Sequence, residues 1–234
     1  LSILDDVVKK YRDEVPPPSE VVFQNEYTQL KRDVNVFLQI NRELGTKVVG
    51  TEIRFGDKKD GAVKVFLTDN KQILLRGKID RIDKAGPSKY HAWDYKTGGT
   101  YGYKERGYLA AGRQIQHALY AVIAEEVLKK SGKDKDPKVT KSEYLFPTEK
   151  GTRDGAGGIF PRSTSDREKW QEPLGKLLDI IGNGTFIVGK EDACKFCDYS
   201  DICGGEKAQK QRASKEKNDI NKELNEWKEL QDYE

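Results

Sequence analysis

An α/β fold is what the sequence predicts, and three observations carry that reading. Runs rich in β-branched and aromatic residues recur at 48–55, 62–68, 72–83, 89–97 and 138–146. Stretches that favour helix stand around them, at 1–14, 19–44, 108–130 and 165–182. With 234 residues, the chain is long enough to bury a substantial core in one large domain, with or without an appendage.

Residues 1–14 read as a helix that Pro16-Pro17-Pro18 stops, because proline lacks an amide hydrogen and clashes with the preceding turn. Helix resumes from Ser19 to Leu44 with a polar, irregular pattern. After the first three strands, Lys84-Ala85-Gly86-Pro87-Ser88 reads as a turn into the fourth. A Gly-rich, Tyr-containing loop at 98–107 then leads into the long helix, where Ile115, Leu119 and Val122 have the spacing of a buried face. Arg113, Gln116 and Tyr120 fall on a second stripe of that helix. A guanidinium, an amide and a phenol in one row suit contacts to phosphate and sugar oxygens. A half-exposed flank of ordinary polar residues would give the same pattern.

Lys138 to Phe146 reads as the last strand, and Thr148 to Ser163, rich in Gly and charge, as a loop. The helix at 165–182 precedes a cysteine-bearing segment. Beyond Gly204-Gly205 the tail is strongly charged, and Ile220, Leu224 and Trp227 form the thin stripe of a helix packed on its own domain.

Chemistry concentrates in two strands, Gly77-Lys78-Ile79-Asp80-Arg81-Ile82-Asp83 and Trp93-Asp94-Tyr95-Lys96-Thr97-Gly98. Side chains alternate across a strand, so Asp94 and Lys96 share one face while Trp93 and Tyr95 share the other. Asp80 and Ile82 lie on one face of the preceding strand; Ile79, Arg81 and Asp83 lie on its opposite face. A hairpin register with 80 opposite 94 brings Asp80, Asp94 and Lys96 together, and a slip of one residue separates them. Two carboxylates can hold a hard divalent cation, and an ammonium beside them can position a water or offset developing charge. Asp-x-Lys on a solvated strand is common, so that tripeptide alone decides nothing.

The three cysteines of the chain all lie within Cys194-x2-Cys197-x5-Cys203. An odd, clustered set does not read as a disulfide framework; clustered thiolates are what a soft-metal or iron–sulfur site uses. Zinc with a non-cysteine fourth ligand is the alternative. His91 and His117, the only histidines, fall in the presumed site strand and helix, so neither is an easy fourth ligand.

Hydrophobic and charged residues each make up 35% of the chain, and no run approaches the roughly 20 apolar residues of a membrane span. No secretory signal is visible, and reduced cysteines fit the cytoplasm. Net charge is only +3, so any phosphate-binding surface must come from local groups such as Lys96, Lys104, Arg106 and Arg113. No Walker-type phosphate loop and no internal repeat are present.

Taken in order, Gly77-x-Ile79-Asp80-Arg81-Ile82-Asp83, Asp94-Tyr95-Lys96-Thr97-Gly98, Gln116-His117-Ala118-Leu119-Tyr120 and the cysteine run resemble the PD-(D/E)XK nuclease superfamily. The branch they look like is the RecB-like one, with the iron–sulfur nuclease domains of bacterial helicase–nuclease complexes and their free-standing relatives. The resemblance spans about Glu52 to Cys203. It implies a restriction-endonuclease-like core, with a mixed central sheet flanked by helices, and a metal-dependent DNA nuclease, of exonuclease type, acting in repair or recombination.

Carried over by position, the resemblance makes Asp80, Asp94 and the backbone carbonyl of Tyr95 ligands of Mg2+ or Mn2+, with Lys96 as the catalytic lysine. Gln116 and Tyr120 would lie beside the active site and the bound strand, joined in contacting nucleic acid by Arg113 and Lys104. Glu52 matches a glutamate of the first core strand and is a further candidate ligand. Cys194, Cys197 and Cys203 would bind a [4Fe-4S] cluster whose fourth cysteine, found upstream in the family, is not in this sequence; nor does a histidine precede His91. We therefore expect a truncated N-terminal helical segment at 1–47, a nuclease core at 48–190, and a cysteine-cluster segment with a charged helix at 191–234. The implied partners are DNA, single-stranded or at duplex ends, and a helicase subunit or domain, with no membrane. The alternative is a nuclease-fold module that binds nucleic acid or acts as a scaffold without cutting.

Overall fold

The computed structural model of the protein describes residues 2–57, 61–67, 71–103, 109, 114–153, 157–162, 167–185, 197–216, 224–230 and 232–233. They fall into two compact units: one of residues 1–65, 74–105 and 116–165, the other of 66–73, 106–115 and 166–234.

The first unit opens with helix α1 (Ser2–Glu14) and helix α2 (Glu20–Leu44). Ser19 starts α2 as an N-cap, its Oγ accepting from the Val22 amide at 3.3 Å, and Gly45 ends it in the left-handed region at φ 61°. Five strands follow in the main sheet: β1 (Lys47–Phe55), β4 (Gly77–Gly86), β5 (Lys89–Tyr95), β6 (Lys138–Leu145) and β7 (Ile159–Phe160), in that spatial order. β1/β4, β4/β5 and β6/β7 are antiparallel and β5/β6 parallel, so the sheet is mixed. The parallel step needs a crossover, which helix α3 (Gln116–Lys130) supplies.

The strand expected at 72–83 is two strands. β2 (Val63–Phe66) and β3 (Gln72–Leu75) form a separate two-stranded sheet, and β4 starts anew at Gly77. A Cβ at Gly77 would meet the Phe55 ring at 2.9 Å, and Gly77 is paired with Phe55 in the ladder. The absent side chain lets β4 begin there. The segment 148–163 is likewise not all loop. Thr148 caps the short helix α4 (Glu149–Thr152), its Oγ1 accepting from Gly151 N at 3.0 Å, and β7 pairs through Phe160 with Tyr144. Helix α3 is described from Gln116, just after Gln114 N donates to Leu109 O at 3.0 Å; the expected start at 108 lies outside the described residues.

Each face of the sheet carries its own core. Ile40 of α2 packs with Trp93 and Leu145, backed by Val36, Leu44, Tyr95 and Ile159. On the other face Tyr144, Phe146 and Phe160 cluster with Tyr103. The buried residues of α3 are His117, Ala118, Ala121, Ile123, Ala124 and Leu128, and not the expected Ile115, Leu119 and Val122, which are half-buried. Three alanines in that row let the helix backbone come close to strands, a role the apolar spacing alone does not reveal.

In the second unit, helix α5 (Arg167–Gly182) buries Trp170, Leu174 and Ile180. Helices α6 (Ser200–Cys203), α7 (Gly205–Glu216) and α8 (Asn225–Leu230) follow. α8 packs on α5, where Glu229 and Lys176 form an ion pair, and Arg212 lies 5.7 Å from the Trp227 ring.

A polar network is sealed beneath α2. Arg81 donates to both carboxylate oxygens of Asp83 at 2.6 and 2.7 Å, and Asp83 also accepts from Thr46 Oγ1 at 2.7 Å and Trp93 Nε1 at 3.1 Å. Arg81 further reaches Asn41 Oδ1 and, at 3.3 Å, the Tyr95 hydroxyl. Burial works against the guanidinium charge, but the bonds from Asp83 and Tyr95 more than offset it, and the Arg81 proton is held more firmly than usual. Removing one partner strands the other charge in the core. Arg81→Met should therefore lower stability by about 3–5 kcal/mol in urea unfolding, while Arg81→Met with Asp83→Leu costs less than Arg81→Met alone.

Candidate active site

The turn between β4 and β5 sets the register. Arg81 pairs with Trp93, Ile82 with Ala92, Asp83 with His91 and Lys84 with Tyr90, and a bulge before Gly86 then closes the hairpin on Pro87-Ser88. Continuing that ladder outward puts 80 opposite 94, the register the sequence needs. Asp80 Oδ2 accepts the backbone N–H of Tyr95 at 2.9 Å, which ties the two strands together beyond the last paired residues.

Lys96 follows the end of β5, yet its amide donates to Leu145 O at 2.9 Å and so keeps strand direction. Its side chain therefore stays on the Asp94 face. Nζ lies 2.9 Å from Asp94 Oδ2 and 3.2 Å from Gln116 Oε1. The first is a contact of opposite charges and not an aligned hydrogen bond: Asp94 Oδ2 is buried without a hydrogen-bond donor among the described residues. Gln116 opens α3 and donates through Nε2 to the Tyr120 hydroxyl one turn later, at 2.7 Å. Tyr120 in turn donates to the Lys78 carbonyl of β4 at 2.9 Å. Asp80, Asp94, Lys96, Gln116 and Tyr120 are thus one connected constellation.

Glu52 stands apart from it. The β1/β4 pairs Thr51–Arg81 and Ile53–Ile79 set it opposite Asp80, but its backbone is left-handed at φ 53° and its carboxylate forms an ion pair with Lys78. Lys104, Arg106, Arg113 and Cys194 lie outside the described residues. Cys197 is half-buried and Cys203 exposed, on either side of the turn that becomes α6.

Sequence reasoning missed the floor of the site. Tyr144 of β6 is the parallel partner of Asp94, and its ring lies 5.6 Å from Lys96 Nζ and 5.4 Å from the Arg162 guanidinium carbon. Its hydroxyl is 3.3 Å from Nδ1 of the fully buried His117. Which residue of β6 faces Asp94 depends on a crossover register that no local pattern encodes.

Burial pushes the Asp94 carboxyl above the ordinary aspartate range; nearby Asp80 adds to the rise and Lys96 opposes it. The Tyr120 phenol is raised for the same first reason, with both aspartates contributing. Burial, helped by the Arg162 charge, lowers His117 to about 3 and keeps its imidazole neutral.

A divalent cation fits the donors on this face. Asp94, buried, with the Asp80 charge nearby and an Oδ2 that has no hydrogen-bond donor among the described residues, is the setting that a cation relieves. Among the described residues no three His, Cys, Asp or Glu side chains stand together as ligands, so backbone oxygen and water must complete the shell. Mg2+ habitually keeps several waters.

Compared with known families, residues 2–204 match the PD-(D/E)XK nuclease superfamily. The chain belongs to that superfamily. A search of curated proteins found no match. In this PD-(D/E)XK chain the restriction-endonuclease-like architecture is present as the mixed five-stranded sheet between helices, and membership makes it a protein of the nuclease class with nucleic acid as the substrate to expect. No helix among the described residues is long and apolar enough to cross a membrane.

The raised Asp94 carboxyl has a consequence for stability. Between the ordinary aspartate value of 3.8 and its raised native value, the folded chain binds more protons than the unfolded one, so stability is lost as pH rises through that window. In chelator at pH 7, Asp94→Asn should melt at a higher temperature than the parent, and the gap should close as pH falls towards the ordinary value. Added Mg2+ should stabilise the parent and leave Asp94→Asn unmoved, as scanning calorimetry would show.

Proposed function

We propose that this chain is a metal-dependent deoxyribonuclease of exonuclease type that hydrolyses phosphodiester bonds in DNA repair or recombination. One observation carries the reading: Asp80 and Asp94 share a sheet face with Lys96, whose amine touches Asp94 and is held by Gln116. Such an arrangement is what hydrolysis at phosphorus needs, and it argues against a scaffold that has lost its chemistry.

Asp80, Asp94 and the Tyr95 carbonyl would hold Mg2+ or Mn2+. The bound ion would polarise the scissile phosphate and lower the pKa of a water. Lys96, three-sided in its contacts, orients that water or offsets the charge gathering on the pentacovalent phosphorus. The water oxygen bonds to phosphorus as the bond to the departing ribose oxygen breaks, and that oxygen leaves with a proton. A site that grips phosphate oxygens reads little sequence, so weak base preference follows. The RecB-like branch, with a helicase as partner and DNA strands or duplex ends as substrate, is the finer reading that the motif order supports.

A second reading concerns the cysteines. Their spacing favours a [4Fe-4S] cluster on Cys194, Cys197 and Cys203 with a fourth ligand from elsewhere, zinc being the alternative. Among the described residues Cys197 and Cys203 belong to no group of three ligands, so the spacing alone supports this.

Asp80→Ala, Asp94→Ala and Lys96→Ala should each reduce cleavage of linear DNA in Mn2+ by about 100-fold or more while circular dichroism stays unchanged. Robust cutting by Asp94→Ala would overturn the reading. Anaerobically purified protein should absorb at about 400 nm and carry iron; stoichiometric zinc without iron would select the alternative.

A further inference from the structure

Lys96 is held by a carboxylate, by an amide and by a ring. Asp94 is already given as a metal ligand, so its charge is shared with any bound cation. Gln116 supplies one acceptor at 3.2 Å. The third support is Tyr144, whose ring lies within the distance at which an aromatic π-face attracts an ammonium.

The ring is itself firmly seated. Tyr144 is 2% exposed, and Tyr103 meets it edge-on at 4.8 Å between ring centroids. His117 approaches it edge-on at 5.7 Å and has Nδ1 near the hydroxyl. The β5/β6 ladder puts the ring beside Asp94, so its place relative to the carboxylate is set by backbone pairing.

Resting on the nuclease reading above, we propose that Tyr144 is a positioning residue for the reaction: its buried ring holds the Lys96 amine beside Asp94. The amine sits on a long flexible stem, and its freedom costs rotamer entropy each time it must be brought to the reacting phosphate. A rigid aromatic floor restricts that freedom before substrate arrives. The contact needs the ring and not the hydroxyl, which separates Tyr144→Phe from Tyr144→Leu.

Single-turnover and steady-state cleavage of linear DNA in Mn2+ would test this. Tyr144→Leu should lower kcat by about 10- to 100-fold with KM nearly unchanged. Tyr144→Phe should restore most of the rate. In a Lys96→Ala background, Tyr144→Leu should cost nothing further, because its effect passes through the amine. In protein labelled at lysine Cε, the Lys96 NMR signal should show a ring-current shift that Tyr144→Phe keeps and Tyr144→Leu loses. Unchanged turnover in Tyr144→Leu, or an equal loss in both Lys96 backgrounds, overturns the proposal while leaving the nuclease reading intact. An inert parent overturns both, and absence of the ring-current shift overturns the positioning role alone.

Discussion

A buried ion pair on the far side of the sheet makes the near side possible. Arg81 and Asp83 engage each other bidentately under α2, with Thr46, Asn41, Trp93 and Tyr95 completing the hydrogen bonds. Strand alternation then leaves Asp80 and Ile82 no choice of face. A slip of β4 against β5 would expose the apolar side chains and drag two desolvated charges away from their partners. The network therefore specifies a register as much as it stabilises a fold, and the register decides whether Asp80 meets Asp94.

The reactive face carries opposed tendencies. Asp94 is buried where ionisation is disfavoured, its neighbour Asp80 worsens that, and Lys96 only partly compensates. A fold selected for stability alone would place an apolar residue there. These unfavourable electrostatics stand against an opposite face where Arg81 and Asp83 satisfy each other, and they are of the kind a bound cation would relieve. Stability and chemistry are assigned to opposite faces of the same two strands.

Much of this was legible in sequence. Alternation around Asp80, Asp94 and Lys96 gave the shared face, while the register stood only as a condition, met through the bulge between Lys84 and Gly86. Gln116 and Tyr120 were readable because helical spacing of four puts side chains together. Contacts between distant segments were not. The break at Gly77 follows from the Phe55 ring filling the space where a side chain would go, and the buried row of α3 follows from alanines that permit close approach. Tyr144 enters the site through a parallel pairing set across a crossover, which leaves no trace in local periodicity. Glu52 illustrates another limit: the family resemblance made it a candidate ligand, and no local pattern told of its left-handed backbone or of the ion pair with Lys78.

The crossover between β5 and α3 has a further implication. Its two ends are fastened independently, Lys96 through its amide to Leu145 and Gln116 through its side chain to Lys96 and Tyr120. Between them Tyr103 packs edge-on against Tyr144 at 4.8 Å, so this connection also braces the aromatic residue beside Lys96. A connection fixed at both ends and seated through one ring can vary in sequence only where it does not meet that ring.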